Sequence, residues 1–202
     1  MGDQNITSHE PPQNWEQLYI EYASLLYNYG CKITSQKSLI EDCVHDVFVN
    51  LLKAPQCATT INNPKAYLFK SFRRLLINKL KTDTRSQELV LDRGGEAYQF
   101  NIELSSEAYR IIEENNDEQR KKIAEAIRQL SPRQKEAIYL KFYENQSYEE
   151  VAGIMKIEKS ALYSMIYKSL AQLRRALSPI LSTKTSAGYY FSLFASGLLL
   201  LV

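Results

Sequence analysis

Cysteine, glycine, proline and histidine are all scarce in this chain, and each shortage removes a class of protein. Cys31, Cys43 and Cys57 stand twelve and fourteen residues apart with no C-x-x-C pair, and only His9 and His45 accompany them. Such a set is too small and too scattered for a zinc site, and an odd number of thiols fits reduced packing side chains better than a disulfide framework. Seven glycines and six prolines in 202 residues leave few turns. Alternating apolar and polar runs are sparse as well, so an all-α fold is expected and a sheet of any size is excluded. The sequence lacks a phosphate-cradling glycine loop, an H-E-x-x-H pair and a nucleophile elbow. The expectation is therefore a non-enzymatic protein without metal or cofactor. Residues 1–14 are polar and hold no apolar signal core, which predicts a cytoplasmic protein.

What is present is an ordinary globular composition, 45% hydrophobic and 24% charged, with a strong alternation of sign hidden under a net charge of +2. Residues 64–85 sum to +6, residues 86–117 to −6 with eight acidic side chains against two basic ones, and residues 118–178 to +5 with twelve basic against seven. Two basic blocks flanking an acidic one fit two DNA-facing modules joined by a linker that DNA backbone repels.

The second basic block carries the sharpest pattern. Ser131-Pro132-Arg133-Gln134 combines an N-cap hydroxyl, a proline where a missing donor costs nothing, and a glutamine able to close a capping box. Ser147-Tyr148-Glu149-Glu150 repeats the signal, and Val151, Ile154 and Met155 give the apolar face of a short helix. After the turn-sized break Lys156-Ile157-Glu158, a longer helix places Leu162, Ile166, Leu170 and Leu173 on one stripe, to be stopped by Pro179. Its other face presents Lys159, Ser160, Tyr163, Ser164, Tyr167 and Lys168. This is helix–turn–helix spacing, and hydroxyl and cationic groups occupy the helix start, the part that enters a major groove.

The first block opens with Trp15, Leu18, Tyr19, Tyr22, Leu25, Leu26 and Tyr29 at helical spacing, ending before Gly30 as a C-cap. A second helix over 38–53 buries Leu39, Ile40, Cys43, Val44, Val47, Phe48, Leu51 and Leu52, and turns Glu41, Asp42, His45, Asp46 and Asn50 outward. After a loop, Pro64 starts a third helix. Its expected buried side is Tyr67, Leu68, Ser71, Phe72, Leu75, Leu76 and Leu80, and its exposed side Lys65, Lys70, Arg73, Arg74, Asn78 and Lys81.

These motifs resemble the sigma-70 family of transcription initiation factors, and in particular its extracytoplasmic-function group. The segment from Leu130 to Gln134, Tyr148 to Ala152 and Leu170 to Arg174 resembles the LSPRQ opening, Y-x-E-[IV]-A core and L-x-x-LR ending of region 4. Leu39 to Phe48 resembles the A-E-D-x-V-Q-[ED]-[VT]-F helix of region 2, with His45 where Gln is usual. The third helix resembles the −10 reading helix, with Arg74 where Asn is usual, a donor-only fork in place of a donor and acceptor. In the recognition helix Ala161-Leu162-Tyr163 stands where Thr-Val-Lys or Thr-Val-Arg is frequent.

The resemblance, which covers about residues 14–178, implies two small helical domains: region 2 over 14–85 and region 4 over 118–178, joined by an acidic linker over 86–117; the apolar extension over 179–202 is not explained by it. It implies core RNA polymerase as the partner of Glu41, Asp42, His45, Asp46 and Asn50. Lys65, Lys70, Arg73, Arg74, Asn78 and Lys81 would hold −10 promoter DNA, and Lys159, Ser160, Tyr163, Ser164, Tyr167 and Lys168 the −35 duplex. The loop between Lys53 and Asn63 would take a flipped base. An anti-sigma factor is a further expected partner.

The tail, Ala187 to Val202, is sixteen residues without a charge. It falls short of the ~20 apolar residues of a spanning helix, which favours docking on the protein's own domains or on a partner over membrane insertion; folded back over either module, it would act as a built-in inhibitor. The competing readings are a helix–turn–helix regulator that works without polymerase and a membrane-tethered interaction protein.

Overall fold

The computed structural model describes residues 15–53, 63–83, 98–102 and 117–181. Its regular elements are all helical: α1 (Trp15–Ile33), α2 (Lys37–Lys53), α3 (Pro64–Asp83), α4 (Asp117–Arg128), α5 (Pro132–Ile138), α6 (Tyr148–Met155) and α7 (Lys159–Leu181). Among the described residues there is no strand. The C-terminal tail, Cys57 and most of the acidic linker lie outside them.

Helices α1, α2 and α3 pack on one another around Leu26, Ile40, Cys43, Phe69, Phe72 and Leu76, all fully buried. Burial raises the Cys43 thiol to about 11, with the neighbouring Lys79 cation opposing and Asp46 and Asp42 adding, so this thiol is an inert packing group. Gly30 does not cap α1, which continues for three residues to Ile33. A Cβ there would stand 2.6 Å from Ile40 Cγ2 and 2.9 Å from Phe72 Cζ. Glycine is needed for close approach of three helices, not for a left-handed turn. The start of α3 is set by Asn63, whose Oδ1 accepts from the Ala66 N–H at 3.1 Å, with Pro64 in the first helical position.

In the second half, α4, α5 and α6 all pack on α7. Both capping boxes are formed: the Gln134 N–H donates to Ser131 Oγ at 3.3 Å and the Glu150 N–H to Ser147 Oγ at 3.2 Å. Gln134 Oε1 and Glu150 Oε2 accept in return from the Ser131 and Ser147 N–H groups at 2.9 and 2.6 Å. The break between α6 and α7 turns on Lys156, which adopts a left-handed conformation with φ 52°. Helix α7 runs through Pro179 to Leu181, so proline falls in the last turn and does not set the end.

Two features were not legible in the helical pattern. Residues Tyr139–Tyr143 continue α5 as a widened π turn, in which the Glu144 N–H donates to Tyr139 O at 3.0 Å. The halves of the molecule also share one core. The linker segment 98–102 is tied to α1 by the Asn101 N–H donating to Lys32 O at 2.8 Å, and buries Tyr98 and Phe100. The two aromatic side chains recover enough apolar burial to hold this stretch of backbone despite the acidic surroundings.

Candidate nucleic-acid interface

The outer face of α7 is built from the helix start upward. Lys159, Ser160, Tyr163, Ser164, Tyr167 and Lys168 are all exposed, while Leu162, Ile166 and Leu173 are buried beneath them. Tyr163 stacks on Tyr148 of α6 with ring centroids 4.2 Å apart, and Lys141 Nζ stands over the Tyr148 ring, 4.8 Å from its centroid. Lys159 pairs with Glu149, whose hydrogen bond holds the ammonium above its usual range. This face is thus partly preorganised by α6. Tyr167 is 75% exposed.

On α2, Glu41, Asp42, His45 and Asn50 are exposed and share one side of the helix. Asp46 is half-buried, bound to Lys79 Nζ of α3 at 2.8 Å. It fixes α3 against α2 and is less available to a partner than its neighbours. Leu52 departs from its expected burial, with 52% of its surface exposed at the end of α2.

Helix α3 departs most from the sequence reading. Lys70, Arg74, Asn78 and Lys81 are exposed as expected, but Arg73 is only 3% exposed and Tyr67, expected inside, is 38% exposed. The buried stripe is Leu68, Phe69, Phe72, Arg73, Leu76, Ile77 and Leu80. It is turned about the axis because α3 packs on α6 as well as on α1 and α2. Lys65 is half-buried, with its Nζ 2.9 Å from Glu144 Oε2 and 2.7 Å from Glu144 O. Asn63 Nδ2 donates to Glu150 Oε1 at 2.5 Å.

Arg73 ends in a buried cluster that joins the two halves. Its Nε donates to Glu136 Oε1 at 2.7 Å and its Nη2 to Glu136 Oε2 at 3.1 Å. The Tyr29 and Tyr98 hydroxyls donate to the same two oxygens, Tyr29 to Oε1 and Tyr98 to Oε2. One carboxylate from α5 is therefore satisfied by α1, α3 and the linker together. Burial pulls the Arg73 guanidinium down, and the Glu136 charge more than reverses that. Burial and then the Glu136 charge push both tyrosines well up. The Tyr29 ring lies between 5.2 and 6.1 Å from the rings of Phe69, Phe72, Phe100 and Tyr139.

Glu136, Glu144 and Tyr98 were not singled out from the sequence, and Tyr29 only as one of the apolar positions of the first helix. The available signal was a charge on an apolar stripe: Glu136 falls three and four residues before Tyr139 and Leu140, and Arg73 four after Phe69. A charge at such a position requires an opposite one from elsewhere in the fold. Among the described residues there is no cluster of ligands able to hold a metal ion and no helix long and apolar enough to cross a membrane.

Comparison with known proteins agrees with the arrangement of two helical units. Residues 18–86 match the family described as Sigma-70 region 2, and residues 120–173 that described as Sigma-70, region 4. The chain is 24% identical over 167 residues to the ECF RNA polymerase sigma factor SigL of Mycobacterium tuberculosis, covering 81% of this chain and 88% of the relative. It is 24% identical over 162 residues to the ECF RNA polymerase sigma factor BldN of Streptomyces coelicolor, covering 80% of this chain and 59% of the relative. The solved RpoE structure from Bartonella quintana, in complex with the anti-sigma factor NepR, has the same fold, with a TM-score of 0.55 at 20% identity over 81% of this chain and 96% of that one. The order of the two matched regions and the named relatives lead to one conclusion: the chain belongs to the sigma-70 family, in its extracytoplasmic-function group.

Proposed function

We propose that this chain directs core RNA polymerase to promoters by three separate faces, in the cytoplasm where both enzyme and DNA reside. The exposed carboxylates and polar groups of α2, Glu41, Asp42, His45 and Asn50, dock on the polymerase. The outer row of α3, Lys70, Arg74, Asn78 and Lys81, follows the backbone of the opened −10 strand. The face of α7 from Lys159 to Lys168 enters the major groove of the −35 duplex. Arg74 favours phosphate or guanine at the −10 element, and Tyr163, Ser164 and Tyr167 shift the −35 reading toward hydroxyl and apolar contacts. An anti-sigma factor is proposed as the physiological inhibitor.

The observation that carries this reading is the α7 face, exposed along its length and ordered at its start by Glu149 and Tyr148. Run-off transcription with core polymerase on a randomised promoter library tests it. Initiation that depends on the added protein is expected; a protein that binds duplex DNA but never polymerase would instead be an independent regulator. Tyr163→Ala with Lys168→Ala should abolish −35-dependent initiation and leave polymerase binding intact, whereas Asp42→Ala should weaken polymerase binding. The reverse pattern would exchange the roles of the two modules.

A further inference from the structure

Helix α7 is short of the side chains that read three of the four bases. In a major groove arginine or lysine pairs with guanine, asparagine or glutamine with adenine, and aspartate or glutamate with cytosine, while thymine offers its C5 methyl to apolar contact. Residues 159–168 contain no Arg, Asn, Gln, Asp or Glu. Lys159 is paired with Glu149, and Lys168 stands beyond the first two turns. Those turns expose hydroxyls and a ring, Ser160, Ser164 and Tyr163, and Tyr167 follows in the third. Tyr163 and Tyr167 are four residues apart, on one stripe of the helix, and are 46% and 75% exposed.

Tyr163 is also held in one orientation. Its ring stacks on Tyr148 with 25° between the two planes. Tyr148 is itself fixed: it is the first residue of α6, directly after the Ser147 capping box, and Lys141 Nζ lies over its ring while donating to Gln146 O at 3.0 Å. The stack sets the plane of the Tyr163 ring before any duplex arrives, so little rotamer freedom is lost on binding. An aromatic face carries partial negative charge and suits the weakly positive hydrogens of a methyl group. We propose that Tyr163 and Tyr167 read the C5 methyl groups of thymines in the −35 duplex, and that Tyr148 is the positioning residue for Tyr163. This rests on the reading of α7 as the −35 helix. Four residues span about 6 Å of helix against ~3.4 Å per base step, so the two thymines lie one or two steps apart.

The test uses the full chain with core polymerase. The strongest template from the randomised promoter library is rebuilt with uracil in place of each −35 thymine in turn, on either strand; uracil keeps the pairing with adenine and removes only the methyl. Run-off initiation should fall about four-fold at each of two positions one or two steps apart, the worth of one buried carbon, and about fifteen-fold when both are replaced. The position that loses its thymine-to-uracil ratio in Tyr163→Ala is the one Tyr163 reads. At that position Tyr148→Leu, which removes the stack, should cut the ratio to about two-fold or less with polymerase binding retained, and Tyr148→Phe, which keeps the stack, should leave it at about four-fold. A ratio in Tyr148→Leu equal to that of the unaltered protein overturns the positioning role. Initiation that depends on the −35 element but is indifferent to uracil overturns the thymine reading and leaves the initiation-factor reading intact. No initiation on any template overturns both. The uracil series needs no substitution in the protein, so it decides the thymine reading whether or not Tyr148→Leu folds.

Discussion

Glu136→Gln is the substitution whose cost the structure allows to be worked most directly. The side chain keeps its length and shape, so no cavity is left. Its carboxylate, however, accepts from Tyr29, Tyr98 and two nitrogens of Arg73. An amide presents one nitrogen donor to groups that are themselves donors and leaves the Arg73 cation, 3% exposed, without a counter-charge. Breaking a buried pair by removing one partner typically costs about 3–5 kcal/mol. With a urea slope of about 2 kcal/mol/M, the unfolding midpoint should fall by about 1.5–2.5 M. Because Arg73 and Glu136 belong to opposite halves, separation of the halves gives both groups back to water and limits the loss; that limit would register as expansion without loss of helix. The double variant Arg73→Met with Glu136→Leu removes both charges but also takes the acceptor from the buried Tyr29 and Tyr98 hydroxyls, so it should recover part of the stability, with a coupling of up to about 3 kcal/mol in a double-mutant cycle followed by circular dichroism. A single variant that costs under about 1 kcal/mol, as an exposed pair would, with no expansion, refutes the reasoning.

Other consequences follow from particular contacts. Gly30→Ala brings a methyl within 2.6 Å of Ile40 Cγ2, and overpacking by about 1–3 kcal/mol should exceed the ~1 kcal/mol gained in helix propensity, lowering the melting temperature; a rise would mean that α2 and α3 yield freely. Burial raises the Glu150 carboxyl, but the backbone and side chain of Ser147, with Asn63 and Lys141, more than reverse this and leave it below its ordinary 4.5. A depressed folded value contributes stability above that range and loses it as pH falls through the folded value, so Glu150→Gln should flatten the acid limb of the stability curve below pH 4.5. Tyr29, Tyr98 and Tyr139 are all raised, chiefly by burial, from 10.0. Their protonation stabilises the fold below that pH, and the stability is lost as pH rises beyond it. In an ultraviolet tyrosinate titration these three should ionise only together with unfolding, and early, reversible ionisation of all fourteen tyrosines would contradict their burial.

The family resemblance and the local structure were readable because they depend on short-range chemistry. Capping serines at 131 and 147 satisfy free N–H groups a few residues away, and the stripe from Leu162 to Leu173 needs only the helical period. The α7 face followed from that stripe as its complement. Where a residue is judged by what a distant element brings to it, the period alone misled. Arg73 was assigned to the outside of α3 because charge ordinarily faces water, and Gly30 to a helix end because glycine ordinarily breaks helices.

By itself the sequence determined α1, α2, α3, α5, α6 and α7, the helix–turn–helix and the alternation of charge, since each depends on neighbours within about two turns. Tertiary structure alone decided that the two halves meet, that Tyr98 and Phe100 of the linker enter the core, and that Arg73, Glu136, Tyr29 and Tyr98 converge from four separate segments. The physical reason is range. A cap or an amphipathic stripe is satisfied locally, whereas a buried charge 63 residues from its counter-charge becomes tolerable only once the chain has closed around both.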